Sequence, residues 1–423
     1  MARGVKRLVG GRLTGRIGRT RLMMFLAVVG PGLIAAASDN DAGGVTTWSV
    51  IGSRWGYSLI WLLVLITPIL AVTQEMGARM GAVTGKGLAA LIREKFSLRV
   101  TALAMLALLV ANFGTTVAEF SGVAAAFGLA HVPAWLAVPP VAAGVWLLVT
   151  RASFRKVERV FLVLTAVYAA YVVAGLLARP DWPAALHGTV VPQAHASSIW
   201  LLTVVAAIGT TITPWDQFFI QAYIVDKRVS IRDYAYTRIE VVVGAVFTDA
   251  IDFFIVVACA ATLWQTGVVV DTAQAAARAL EPVAGRAAEL LFGFGLLNVS
   301  ILGAAILPLT TAYAVCEAFG FESGLDRTWH KAPAFNGILT AFLAAPALVA
   351  VIPGLPLVKV MLLSQDVNGI LLPVILVYVL KIINDPAVMG EHVNGRVYNT
   401  VAWAFSLALI GLSATLVASP FLF

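Results

Sequence analysis

An apolar stretch runs from Leu22 to Ala37. Where a membrane helix would be near the bilayer midplane it becomes Ser38-Asp39-Asn40-Asp41-Ala42-Gly43-Gly44, and it then continues to about residue 53. Charge at that depth is costly, and irregular backbone is excluded from contact with lipid. Both are tolerated where the segment faces a wet cavity enclosed by protein. A broken helix offers such a cavity unpaired carbonyls beside its carboxylates, the oxygen ligands that a hard cation takes. The stretch therefore reads as one half of an ion site.

The remainder of the chain supplies the membrane around it. Of 423 residues, 60% are hydrophobic and 12% charged, against roughly 25% charged in a soluble domain. The apolar runs predict eleven transmembrane helices over about 22–53, 57–78, 100–128, 132–150, 158–178, 198–226, 237–265, 285–319, 334–352, 356–383 and 397–420, the first and sixth broken. The expected product is an all-α polytopic membrane protein. A basic segment (1–21) precedes one transport core (22–383), and a loop with the eleventh helix (384–423) follows.

Loop charge agrees with that count. With the N-terminus cytoplasmic, the basic residues of 1–21, 79–99, 151–159, 227–238, 327–331 and 381–396 all fall inside. Of 29 Lys and Arg, only Arg54, Arg179, Arg278, Arg286 and Lys359 remain outside, as the positive-inside rule requires. The net charge of +7 thus reads as membrane orientation rather than as a nucleic-acid partner. The C-terminus is then extracytoplasmic, and a bacterial inner membrane is the expected host. No small-residue site closes a short apolar core, so a cleavable signal peptide is not expected. Cys259 and Cys316 lie within apolar runs and read as buried, reduced thiols.

The sixth span repeats the theme of the first. It reads Ile208-Gly209-Thr210-Thr211-Ile212-Thr213-Pro214-Trp215-Asp216-Gln217-Phe218. Proline removes a backbone donor and frees a carbonyl of the preceding turn. The Ile212 carbonyl, the Thr213 hydroxyl and the Asp216 carboxylate can then all face the gap. Two breaks at equivalent places in two five-helix halves point to an inverted-repeat transporter with its site at the midplane. No internal sequence repeat accompanies them.

Asp41 is the first candidate cation ligand, with the backbone of Ala42 and Gly44 beside it; the competing reading is a helix cap. Asp39 and Asn40 point away from Asp41 on a helix and are either supporting polar groups or caps. Asp216 is either a ligand, directly or through water, or a cap at the positive end of the second half-helix. Trp215 only donates and reads as packing or a gate. Glu119, in the third span, belongs to an ion pathway or is paired with a buried donor. Asp249 and Asp252 share a face of the seventh helix and either line a vestibule or are solvated. Gln365-Asp366-Val367-Asn368 interrupts the tenth apolar run and is a candidate to complete the site. Asn298, Thr310 and Thr311 read as helix–helix hydrogen bonds.

All five histidines, His131, His187, His195, His330 and His392, fall in loops or at helix ends. That excludes an intramembrane imidazole relay or imidazole metal site. There is no nucleophile–base arrangement, phosphate-cradling glycine loop or zinc spacing, so neither catalysis nor a resident cofactor is expected. The implied partners are a divalent cation and the lipid bilayer, with no nucleic acid and no obligate protein.

These residues resemble the NRAMP (natural resistance-associated macrophage protein) divalent-metal transporters, which have the LeuT-type fold. Gly30-Pro31-Gly32 with Asp41-Ala42-Gly43-Gly44 is similar to that family's first-helix GPG…DPGN. Gln74-Glu75-Met76-Gly77-Ala78-Arg79 and Val83-Thr84-Gly85-Lys86-Gly87-Leu88-Ala89 are similar to its second helix and following loop. Ala118-Glu119 matches its third-helix acid, and Met389-Gly390-Glu391-His392-Val393-Asn394 resembles its loop before the eleventh helix.

The departures from that family lie at the site. The family's sixth-helix MPH is here Thr213-Pro214-Trp215, which replaces a soft thioether with a hydroxyl. Its first-helix asparagine is Gly44, Asp216 stands where an asparagine is usual, and its tenth-helix glutamine falls at Gln365 or Asp366. Fewer direct ligands, more room and more carboxylate suit Mg²⁺, which sheds water reluctantly. The family's proton-pathway histidines are here Trp215 and Ile220, and its third-helix aspartate is Thr116, leaving Glu119.

The resemblance thus implies a member similar to the NRAMP-related magnesium transporters. It would import Mg²⁺, and Mn²⁺ too, as a largely hydrated ion by alternating access without proton coupling. The alternative is a proton-coupled Mn²⁺/Fe²⁺ importer of the ordinary kind. A sodium-coupled transporter of small organic solutes is disfavoured because acids at both breaks would repel a substrate carboxylate. A membrane sensor lacks a soluble domain to receive its signal.

Overall fold

The computed structural model describes residues 40–151, 168–195, 197–226, 229, 231, 234–281, 285, 288–324 and 329–422. Asp39, the Gly30-Pro31-Gly32 stretch, the first half of the first expected span and residues 158–167 of the fifth lie outside them. All regular structure in the described residues is helical. The first half-chain holds α1 (Ala42–Trp55), α2 (Trp61–Thr84), α3 (Leu88–Lys95), α4 (Leu98–Leu129), α5 (Ala134–Arg151), α6 (Tyr168–Leu177) and α7 (Trp182–Val190). The second holds α8 (Ser198–Thr211), α9 (Pro214–Asp226), α10 (Tyr234–Thr262), α11 (Ala273–Ala277), α12 (Ala288–Phe319), α13 (Pro333–Ala350), α14 (Leu357–Ile383), α15 (Pro386–Met389) and α16 (Arg396–Leu422). With α8 and α9 taken as one broken span, nine described helices are long and apolar enough to cross a membrane.

Two groups of helices organise the packing. α4, α5, α12 and α13 pack on one another and form a frame. α1 lies against α10 on one side and α14 on the other, while α9 packs along α2. Small residues set the closest approaches, as expected where backbones must meet without a hydrophobic driving force between helices. At Gly209 of α8, an added Cβ would fall 2.2 Å from the Gln365 carbonyl oxygen and 2.4 Å from the Gly369 nitrogen of α14. Only glycine lets those two helices touch there.

Some local structure departs from the sequence reading. The stretch 79–99 contains the short amphipathic α3, which buries Leu88, Ala89, Leu91 and Ile92 and exposes Arg93 and Glu94. That is one apolar stripe at helical spacing. The tenth span is not interrupted, because α14 runs continuously through Gln365-Asp366-Val367-Asn368. Asn368 bonds through its side chain alone: Nδ2 donates to Gln365 Oε1 at 2.9 Å and to Thr115 Oγ1 at 3.0 Å. Side chains that do not compete for the backbone leave the helical ladder intact.

Candidate cation site at the two helix breaks

Each break is built from the end of a helix. Asp41 precedes α1 in an extended conformation, and its Oδ1 accepts from the Gly44 N–H at 2.6 Å. That is an N-cap, and it places a carboxylate at the positive end of the helix dipole. Its Oδ2 is also buried. Glu119 of α4 reaches the same helix start, where its Oε2 accepts from the Ala42 N–H at 3.4 Å. The Glu119 carboxyl also lies within hydrogen-bonding reach of that of Asp41, and the residue is fully buried. Glu119 is thus paired with a buried donor, the Ala42 N–H, and its carboxyl also faces that of Asp41. Ala42 and Gly44 contribute donors to these carboxylates, since their N–H groups belong to the first turn of α1.

The second break is described on both sides, whereas at the first only the half beginning at α1 is described. Ile212 closes α8, its N–H bonding to the Ile208 carbonyl at 2.9 Å, and Pro214 opens α9. Thr213 caps α9: its Oγ1 accepts from the Asp216 N–H at 3.3 Å. Asp216 lies in the first turn, and its Oδ2 accepts from Gln74 Nε2 of α2 at 3.1 Å. Its Oδ1 is fully buried and unpartnered among the described residues. The cap is therefore Thr213, which leaves half of the Asp216 carboxylate available to a ligand. Trp215 is buried, with its ring 5.8 Å from that of Phe219.

Gln365 stands between the two breaks. Its side chain lies over Gly43, where an added Cβ would fall 1.7 Å from Nε2, and its carbonyl abuts Gly209, two residues before the end of α8. Oε1 is held by Asn368, and the amide group reaches the Asp41 carboxyl. The adjacent Asp366 is mostly buried, with Oδ1 unpartnered.

Asn40 Nδ2 donates to the Thr248 carbonyl of α10 at 3.5 Å, tying the first break to that helix. Asp249 and Asp252 follow on α10 and are 4% and 2% exposed, so neither is a solvated surface group. Asp252 is close enough to Asp41 for their charges to interact. Among the described residues, no three Asp, Glu, His or Cys side chains close around one point as a metal cage. A cation at the breaks would meet separate carboxylate oxygens and neutral donors, with water completing its shell.

Two participants were not singled out from the sequence. Gln74 holds Asp216 from a helix 142 residues away in the chain, a pairing no local pattern reveals. Gln217 is fully buried, and neither of its amide atoms has a partner among the described residues. Its position next to Asp216 in an apolar helix was the available signal.

A family model described as Nramp, natural resistance-associated macrophage protein-like, matches residues 32–419. A divalent metal cation transporter MntH of Burkholderia ambifaria is 29% identical over 420 residues, covering 97% of this chain and 92% of that protein. The MntH of Bacillus subtilis is 22% identical over 432 residues, covering 99% and 97%. Among solved structures, the manganese transporter of Eremococcus coleocola, in complex with an aromatic bis-isothiourea-substituted compound, superposes with a TM-score of 0.74. It is 21% identical and covers 97% of this chain and 89% of its own. Mhp1, a nucleobase-cation-symport-1 transporter in a closed conformation, superposes with a TM-score of 0.59 at 14% identity, covering 93% and 90%. These likenesses place the fold in the LeuT type. The match over 32–419 spans both helix breaks and the frame around them, and the chain belongs to the Nramp family.

Proposed function

We propose that the chain imports divalent metal cations, Mg²⁺ and also Mn²⁺, as largely hydrated ions by alternating access, without moving protons. The observation that carries this reading is the pair of breaks facing Gln365. Asp41 and Glu119 bring their carboxyl groups within hydrogen-bonding reach of each other, with Gln365 beside Asp41. Asp216 keeps one buried carboxylate oxygen unpartnered, and the second break offers Thr213 in place of a sulfur ligand. Hard oxygens without a thioether favour Mg²⁺ and leave Mn²⁺ as a second cargo. The family relatives named as divalent metal cation transporters support the metal class.

The proposed ligands are Asp41, Asp216 and Thr213 with the Ile212 carbonyl, while the Ala42 and Gly44 N–H groups hold the Glu119 and Asp41 carboxylates in place rather than ligating the ion. Gln365 joins them when its amide turns to present oxygen. Asn40, Trp215, Asp249, Asp252 and Asp366 surround the pathway. In the proposed orientation the basic segments are cytoplasmic, in a bacterial inner membrane. An inside-negative potential contributes about 2.3 kcal/mol per charge per 100 mV, so a divalent ion needs no other driving force for uptake. The frame α4, α5, α12 and α13 is the scaffold against which the broken helices rock.

The test is Mg²⁺ flux in proteoliposomes carrying Asp41→Ala or Asp216→Ala protein. Both variants are expected to elute as folded protein and to lose flux at least about a hundredfold, the effect of removing a charged ligand from a desolvated site. Retained flux would remove these residues from the site. A second reading, proton-coupled Mn²⁺/Fe²⁺ import, is favoured by one observation: the Glu119 carboxyl, facing that of Asp41, is placed to take a proton. Against it, the Thr116 hydroxyl is bonded back to the Asn112 carbonyl at 2.7 Å, so no titratable group stands there to pass a proton on.

A further inference from the structure

A cavity of about 150 Å³ opens between α9 and α12, near the ends of both helices that lead toward the basic segments 227–238 and 327–331. Its wall includes Phe219, Tyr223, Asp226, Thr310 and Glu317. Asp216, Phe219, Tyr223 and Asp226 follow one another on α9 in steps of three, four and three residues, so they share one helix face. The cavity thus lies along the face that presents Asp216 to the site. The Phe219 and Tyr223 rings, stacked at 5.8 Å, stand between them.

Three features make the cavity a place for a cation rather than a gap between apolar helices. Neither Asp226 nor Glu317 is paired with a basic side chain among the described residues. The Glu317 carboxylate lies directly over Gly87, where an added Cβ would fall 2.0 Å from Oε2, so the room it occupies depends on that glycine. Thr310 is 4% exposed, lines the cavity, and its Oγ1 has no hydrogen-bond partner among the described residues. A buried hydroxyl without a partner is costly, and a ligand or its water shell would recover that cost. α9 ends at Asp226 and α12 ends two residues after Glu317. Two negative dipole ends, with carbonyls lacking helical partners, therefore meet at the cavity. Its volume accommodates a cation with several of its waters.

We propose that this cavity is a second cation station, where a hydrated divalent cation leaving Asp41 and Asp216 dwells between Asp226, Glu317 and the Thr310 hydroxyl. The station rests on the functional reading above, because it takes the same cargo on its way out. It fixes the exit between α9 and α12 and makes release from the central site a transfer between two acidic positions rather than a single escape into water.

The test titrates MnCl₂ into purified full-length protein in detergent and reads unbound Mn²⁺ by its electron paramagnetic resonance signal. Asp41→Ala protein, which has lost a central ligand, is expected to retain one weak Mn²⁺ site. Adding Glu317→Gln is expected to weaken that site by about tenfold, and adding Thr310→Val by about threefold, with no change in protein charge. Identical isotherms for Asp41→Ala and for both double variants would overturn the station. If the Glu317→Gln protein does not fold, the Thr310→Val comparison decides alone. Because the binding is read with the central site disabled, absence of transport by the unaltered protein would sink the functional reading without altering this result.

Discussion

Thr213 serves two ends of the same gap. Its hydroxyl oxygen caps α9 through the Asp216 N–H, and it keeps a second lone pair for whatever occupies the break. Thr213→Met would forfeit the cap, at about 1 kcal/mol, and introduce a polarizable sulfur that prefers softer cations. The expected result is competition of Mn²⁺ uptake by Cd²⁺ in place of Mg²⁺. An unchanged order of competing ions would mean that position 213 does not face the cargo. Asp41, Asp216 and Glu119 were legible in the sequence because a carboxylate inside an apolar run has few structural excuses. Gln74 and Gln217 were less so, because a buried amide costs less than a buried charge, and the partner of Gln74 is set by tertiary packing.

Helix α8 stops at Thr211 because Pro214 cannot donate into the preceding turn, and α9 restarts behind its threonine cap. That break is written in three consecutive residues, which is why the sequence located it. The Gln365–Asn368 stretch carried a similar polar signal, yet α14 stays continuous there, since Asn368 bonds to Gln365 and Thr115 through side chains alone. Polarity marks where a helix faces the site; a proline or a cap is needed to mark where it ends. The crossing of α8 and α14 depends on Gly209 and Gly369, which touch backbone to backbone. Gly209→Ala places a methyl group 2.2 Å from the Gln365 carbonyl oxygen, and neither backbone can yield cheaply. Overpacking of this kind costs about 1–3 kcal/mol or more. A lowered thermal midpoint in detergent, with reduced uptake, is the expected outcome; an unaltered midpoint would show that the crossing is loose.

Across the whole molecule, the transporting helices are tied to the remainder at the basic end by a cluster around Arg79. Its guanidinium donates to the His392 carbonyl at 3.0 Å and the Val393 carbonyl at 3.3 Å, bonds to the Asn394 side chain, and lies 3.3 Å from Glu75. The Tyr234 hydroxyl of α10 donates to the same Glu75 carboxylate. One arginine thus joins α2 to the turn before α16, and Glu75 carries the link on to α10. Arg79→Ala strands Glu75 in a largely buried place, and breaking one partner of such a pair costs about 3 kcal/mol. A clear drop in the thermal midpoint is expected, and an unchanged one would reduce the cluster to a surface contact. Cargo and coupling are read together by Mn²⁺ uptake into proteoliposomes with millimolar Mg²⁺ outside and a pH-sensitive dye within. Strong competition by Mg²⁺ with no change in internal pH is the predicted result. Uptake indifferent to Mg²⁺ and accompanied by acidification would contradict the account and assign the protein to proton-coupled manganese or iron import.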